Sequence, residues 1–302
     1  MFDRAWTFLC ASVDCRVTGM RTPVSTQHIT GPDGNRIDLF VSRPEALTDR
    51  AQTPCVLYLH GGAMVTLRAD GANYRRFRHL VASRGRLTCI GVEFRNAAGA
   101  LGCHPFPAAL NDCMAALAWA HSHLEQLGAS HVVLAGESGG ANLAFASALR
   151  AKREGVLGII AGVFGMCPYI YGDYAAPPPD LPSMVENDGY GISLEMGAAR
   201  ARLYDPSGEH TRDPLAWPYW ATQHDLTGLP PHCVSVAELD PHRDEGVAYF
   251  RKLNEAGVDA SARTVLGVNH GWEIFGLDLV APRITLETVD HLASFAHSVG
   301  NV

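Results

Sequence analysis

The stretch His131-Val132-Val133-Leu134-Ala135-Gly136-Glu137-Ser138-Gly139-Gly140-Ala141-Asn142-Leu143-Ala144-Phe145-Ala146-Ser147-Ala148-Leu149 decides how this chain is read. Its first five residues form an apolar run of strand length, and its last nine have helical composition. Between them stands Gly-x-Ser-x-Gly. A serine pushed out of a sharp strand-to-helix turn needs room on both sides. A β-carbon at Gly136 or Gly140 would collide with the adjoining strand or helix. The turn also puts Ser138 at a helix N-terminus, where free backbone N–H groups face a developing negative charge. The competing reading is a loop whose glycines serve packing alone.

Upstream, Gln27 to Val41 reads as two strands around Gly31-Pro32-Asp33-Gly34-Asn35, a strong hairpin signal. Pro54 to Leu59 is a continuous apolar strand ending in His60-Gly61-Gly62-Ala63. A helix follows, with Phe77, Leu80 and Val81 inward and Arg75, Arg76 and Arg78 on the solvated face. Leu87 to Phe94 is another buried strand. It leads through Arg95 and a long loop to a helix opening near Pro107, with Leu110, Met114, Leu117 and Leu124 inside.

Downstream, Leu157 to Phe164 predicts a strand, and the character then changes from Tyr169 to about Trp220. Prolines at 177–179 and 182 break regular structure, and Ser193 caps a short helix through Tyr204. An insertion of this size in an α/β pattern reads as a lid. Alternation resumes with His232 to Ala237, a strand ending at Glu238-Leu239-Asp240. Pro241 opens a helix with Val247, Phe250 and Leu253 inward. Ala260 to Val268 is a strand followed by Asn269-His270-Gly271-Trp272, and Ile284, Val289, Leu292 and Phe295 stripe the last helix. Such alternation implies a mostly parallel sheet with helices on both faces. Residues 1 to about 26 carry only a weak helical stripe of Phe8, Leu9 and Val13.

The totals agree with one large α/β unit. The 302 residues are 47% hydrophobic and 18% charged, enough to bury a sizeable core. A net charge of -7 argues against a nucleic-acid binder, which would show a basic face. The eight cysteines form no C-x-x-C pair and read as free thiols in a reducing compartment. The first residues do not form a signal peptide, and no run is long and apolar enough to anchor in a membrane. The expected location is the cytoplasm.

Three candidates fall in the order Ser138, Asp240, His270, each after a predicted strand. Serine, then acid, then histidine is the order of α/β-hydrolases. In a parallel sheet those strand ends share one edge, where ligands bind. The serine hydroxyl becomes a nucleophile only when a neighbouring imidazole takes its proton, the role of His270. Asp240 would hold that imidazole in the right tautomer, although a position before Pro241 also suits a helix N-cap. The backbone N–H groups of Gly61, Gly62 and Gly139 are the expected oxyanion donors.

With these residues in view, the chain resembles the bacterial hormone-sensitive-lipase family of carboxylesterases from about Gln27 to its end. His60-Gly61-Gly62-Ala63 resembles the family's H-G-G-G, and Gly136-Glu137-Ser138-Gly139-Gly140 its G-D-S-A-G. Asp240-Pro241-His242-Arg243-Asp244-Glu245-Gly246 resembles D-P-L-R-D-E-G, and His270-Gly271-Trp272 resembles H-G-F. Pro105-Phe106-Pro107-Ala108-Ala109 with Asp112 also follows the family text. The resemblance implies an α/β-hydrolase core of about eight strands, 27–168 and 221–302, beneath a cap of 1–26 and 169–220. It implies hydrolysis of small-molecule esters of short to medium acyl chain, with no cofactor, and dimers in many members. The departures are Ala63 for the third glycine, Gly139 for alanine, and Asn96-Ala97-Ala98-Gly99-Ala100 where the family continues Leu-Ala-Pro-Glu.

An amidase, lactonase or acyltransferase would use the same three residues, and a small-molecule receptor would share only the fold. Met64, Val65, Trp217, Tyr219, Trp220 and Trp272 are read either as core or as lining of the acyl pocket. Asp244 and Glu245 are read as favouring the positive end of a helix dipole. His60 is assigned a structural role beside the oxyanion loop. Cys103, His104, His121 and His123 lack zinc spacing, so no metal site is expected.

Overall fold

The structure, a computed structural model, describes residues 22–44, 52–275 and 282–300. The stripe expected at Phe8, Leu9 and Val13 lies outside them. Eight strands form one sheet: β1 (Val24–Thr30), β2 (Arg36–Ser42), β3 (Thr53–Leu59), β4 (Thr88–Glu93), β5 (Ala129–Glu137), β6 (Gly162–Met166), β7 (His232–Ala237) and β8 (Ala260–Val265). Their order across the sheet is β1-β2-β4-β3-β5-β6-β7-β8. β2 pairs antiparallel with β1 and with β4, and the other pairings are parallel. The chain has the α/β-hydrolase fold expected of its sequence.

Strands β3, β4, β6 and β7 are buried along their whole length. Covered on both faces, they read as unbroken apolar runs instead of alternating ones. Helices α1 (Ala72–Gly85) and α6 (Pro282–Ser298) cover one face, and α2 (Ala108–Ser122), α3 (Gly139–Arg153) and α5 (Arg243–Glu255) the other. The two-residue period of β3 divides its side chains between these layers. Val56 and Tyr58 pack with Phe77, Val81 and Val289, while Leu57 and Leu59 join the core of Leu117, Phe145 and Tyr249. Full burial of each such aliphatic side chain contributes about 1.5–3 kcal/mol.

Several boundaries differ from expectation. β1 starts at Val24, paired with Ser42, so 24–26 belong to the sheet and not to a cap. Leu157–Ile159 is a 3-10 turn, and the strand begins only at Gly162. α2 ends at Ser122, placing Leu124 on a separate turn, Leu124–Leu127. α5 begins at Arg243, because Pro241 and His242 form the turn that holds Asp240. Arg78 is buried, not solvated: it fills the space left by the missing side chain of Gly91 and donates to the Ala69 carbonyl.

Segment 169–220, between β6 and β7, carries a short helix Ser183–Glu186, helix α4 (Leu194–Tyr204) and a 3-10 turn Pro218–Trp220. Ser193 caps α4 as expected, its Oγ accepting the Met196 N–H at 3.2 Å. Buried polar groups fasten the segment. Asn142 Nδ2, on α3, donates to the carbonyls of Tyr169 at 3.1 Å and Ala216 at 2.9 Å. Asn187 Nδ2 donates to the carbonyls of Glu238 and Asp240 at 3.0 and 3.2 Å, and Ser183 Oγ to that of Pro241 at 3.0 Å. No helix among the described residues is long and apolar enough to cross a membrane.

Candidate active site

Ser138 follows β5 directly and has φ 56° and ψ −118°, a conformation that side chains other than glycine rarely adopt. Holding it costs of the order of 1–3 kcal/mol, which the packing around the turn must supply. The two motif glycines act as the sequence suggests. A β-carbon on Gly136 would overlap the Gly140 carbonyl, and one on Gly140 the Leu59 carbonyl of β3. The Ser138 N–H donates to Met166 O at 2.9 Å, locking the turn to β6.

Asp240 and His270 leave the sheet at the same edge, after β7 and β8. His270 Nε2 lies 2.8 Å from Ser138 Oγ, and His270 Nδ1 lies 2.8 Å from Asp240 Oδ2. The other carboxylate oxygen of Asp240 accepts the His242 N–H at 2.8 Å. Asp240 is fully buried. Burial works against its charge, but the His270 imidazole and the His242 N–H hold its carboxyl below the ordinary carboxylate value. Burial likewise opposes charge on His270, while Asp240, Glu137 and Glu273 together raise its affinity for a proton. An ionised Asp240 keeps the proton on Nδ1 and leaves Nε2 free to accept from the serine.

Gly139 and the loop after β3 lie against each other. A β-carbon on Gly139 would come within 2.7 Å of Ala63 Cα and of Met64 N. Gly62 has φ 98°, and a β-carbon there would overlap Thr66 O, so glycine is required. Gly61 does not fit the donor role expected of it: its N–H donates to Tyr74 Oη at 3.2 Å, turned toward the interior. Ala63, two residues further on, has φ 58° and lies against Gly139. Among the described residues the N–H groups of Gly62, Ala63 and Gly139 have no acceptor. His60 is buried, stacks on Phe94 at 4.2 Å and is pushed down to about 4 by burial, so it is neutral.

Of the lining candidates, Met64 is buried with its sulfur beside Gly139, and Val65 is buried next to it. Trp217 is brought elsewhere. It is buried among Tyr169, Tyr174 and Tyr204 and borders a cavity of about 140 Å³ that contains none of Ser138, Asp240 and His270. Trp272 is half-buried and opens the short helix Trp272–Phe275.

Three buried groups carry more than their sequence reading. Glu245 is no surface dipole partner: its Oε1 lies 3.0 Å from His242 Nδ1, and Tyr174 Oη donates to its carboxylate at 3.1 Å. The His242 ring in turn stands at 81° to His270, 5.2 Å away. His242 and Glu245 are three residues apart, the spacing of one helical face, which was the signal available. Glu137, the variable residue of the motif, is buried and accepts from Tyr74 Oη at 3.1 Å. Asp112 accepts from the Arg95 guanidinium and from the Arg95 N–H, each at 2.9 Å, so the altered loop after Arg95 keeps this contact. Two sets have ligand atoms close enough for a metal ion, Glu137 with Cys167 and His270, and Asp240 with His242 and His270. Both draw on His270, whose two nitrogens already engage Asp240 and Ser138.

Residues 56–274 match the profile of a family described by its alpha/beta hydrolase fold. Brefeldin A esterase, a bacterial homologue of human hormone sensitive lipase, superposes with a TM-score of 0.93 at 43% identity, over 98% of this chain and 83% of that one. Esterase LipI of Mycobacterium tuberculosis is 31% identical over 246 residues, 80% of this chain and 71% of LipI. A 2-hydroxyisoflavanone dehydratase of Glycyrrhiza echinata is 28% identical over 274 residues, 84% of this chain and 80% of that protein. By fold and site the chain is a carboxylic ester hydrolase. It belongs to the α/β-hydrolase family, among the bacterial hormone-sensitive-lipase homologues.

Proposed function

We propose that the protein hydrolyses small carboxylic esters of short to medium acyl chain through an acyl-enzyme on Ser138. The carrying observation is the unbroken path from Ser138 Oγ to His270 Nε2, and from His270 Nδ1 to Asp240, with 2.8 Å at each step. His270 takes the serine proton as Oγ adds to the ester carbonyl, and Asp240 stabilises the imidazolium. The N–H groups of Gly62, Ala63 and Gly139 receive the oxyanion, each such donor being worth roughly 3 kcal/mol. His270 then protonates the departing alkoxide. Water, activated by the same imidazole, releases the acid and restores the serine. No cofactor enters this scheme.

Segment 169–220 serves as the cap over this site, and its contacts to Asn142 and the Asp240 loop support that reading. Buried free thiols at Cys55, Cys89, Cys113, Cys167 and Cys233 support a reducing, cytoplasmic setting. The outer strand β8 offers an edge for a homodimer, which light scattering would reveal.

Ser138→Ala is expected to abolish both the burst of nitrophenol from a short nitrophenyl ester and covalent labelling by an organophosphonate. Labelling that survives the substitution would refute the role of Ser138. Product analysis with competing water, amine and alcohol acceptors separates hydrolase from amidase or transferase, and a series from acetate to laurate fixes the acyl preference.

A further inference from the structure

Glu137 is a buried acid that the proposed chemistry leaves unused, yet it lies beside all three parts of the site. It precedes the nucleophile in sequence. One carboxylate oxygen accepts from Tyr74 Oη at 3.1 Å, and Tyr74 Oη in turn accepts the Gly61 N–H at 3.2 Å. A β-carbon on Gly61 would overlap the Glu137 carboxylate, so glycine there makes room for the acid. On the other side, a β-carbon on Gly271 would sit 3.4 Å from Glu137 Oε1. A Glu137 oxygen and a His270 ring nitrogen lie within 4.8 Å of each other. The carboxylate therefore stands behind Ser138, between the loop that carries the oxyanion donors and the loop that carries the base.

We propose that Glu137 is a positioning residue for the ester hydrolysis: through Tyr74 it holds Gly61 and the oxyanion loop in place, and with its charge it stabilises the imidazolium of His270. The inference rests on the acyl-enzyme reading above. Burial pushes the Glu137 carboxyl up to about 7, opposed by His270 and Tyr74, so its ionised fraction changes across neutral pH. The other charged or titratable groups facing this pair are Asp240 and Glu273 beside His270, His242 beside Asp240, Cys167 and Tyr58 beside Glu137, and Arg263 beside Glu273. Asp240 already compensates one imidazolium charge. A second carboxylate on the other flank adds to the stabilisation, and its removal must lower the proton affinity of His270.

The test is the pH dependence of kcat/KM for a short nitrophenyl ester, whose acid limb reports the base in the free enzyme. Glu137→Gln keeps the shape and an acceptor for Tyr74 but removes the charge. It is expected to lower kcat/KM about tenfold and to move the acid limb to lower pH by about 0.5 unit or more, as expected for a partly screened charge at this distance. Glu137→Asp, which restores charge, should return the limb toward its original position. A limb that stays within about 0.2 unit in Glu137→Gln overturns the proposal, because a purely structural role would not move it. If Glu137→Gln does not fold, Tyr74→Phe decides. It keeps the carboxylate but removes the acceptor of Gly61, and should cut kcat about fivefold or more with KM nearly unchanged. An unchanged kcat overturns the proposal. Organophosphonate labelling of the wild-type chain at Ser138 keeps the two readings apart. Without labelling the acyl-enzyme itself fails, whereas labelling with an unmoved limb removes only the role of Glu137.

Discussion

Ser138 is held with φ 56° by neighbours that have no side chain to spare. Gly140→Ala puts a methyl group onto the Leu59 carbonyl, where only backbone can give way. The expected cost is roughly 3 kcal/mol or more, read as a lower urea midpoint or as loss of soluble protein. At this scale the sequence was legible wherever a residue type states its own geometric need. Gly136 and Gly140 announced the turn, and Asp240 and His270 announced themselves by standing after strands. It was illegible where direction matters. A glycine in His60-Gly61-Gly62 does not say which way its N–H points, so Gly61 reads as an oxyanion donor although its N–H donates to Tyr74 Oη. Arg78 read as solvated because the space it fills belongs to Gly91, thirteen positions along the chain and on another element.

Between elements, the tie most exposed to substitution joins the β1–β2 turn, the end of β4 and helix α2. Asp112 is fully buried and receives Arg95 through both backbone and guanidinium, while Asp33 takes the outer side of the same guanidinium at 2.6 Å. Asp112→Ala leaves the Arg95 guanidinium with Asp33 alone and strands the Arg95 N–H, and should cost about 3 kcal/mol in urea unfolding. By contrast the exposed pair Arg84–Asp290, which links α1 to α6, should contribute less than about 1 kcal/mol when Asp290 is replaced by alanine. Strands β3, β4, β6 and β7 were plain in the sequence because burial on both faces makes them predominantly apolar. Their ends were less so. Leu157 and Ile159 continue an apolar run into β6 but belong to a turn, and composition does not register where hydrogen bonding begins. Trp217 illustrates the same limit within segment 169–220. Its type suits a pocket or a core equally, and only packing sends it among Tyr169, Tyr174 and Tyr204.

For the molecule as a whole, opposite groups shape the response to acid. His60 and His232 are pushed down by burial to about 4, whereas the unfolded chain protonates histidine near 6.5. Between those values acidification favours unfolding. Glu93 and Glu137 are pushed up by burial to about 7 from 4.5, so between 7 and 4.5 the folded state takes protons first and gains stability as pH falls. These four groups offset one another across roughly pH 6.5 to 4.5. Glu93→Gln removes one of the stabilising protonations, so its stability in urea unfolding should fall with acidification more steeply than that of the wild type, by about 1 kcal/mol per pH unit over the same window. A wild-type curve as steep as that of the variant would contradict the balance.

The fastening of segment 169–220 bears on how this scaffold can be re-engineered. Asn187 and Ser183 grip the carbonyls around Asp240 from above, while Asn142 grips the segment from below. A chimera that replaces this segment with a foreign one exchanges part of the triad's own bracing along with it. Grafts that carry an amide and a hydroxyl at the equivalents of 187 and 183 should inherit a working acid, and grafts that omit them should be crippled at turnover before any question of substrate choice arises.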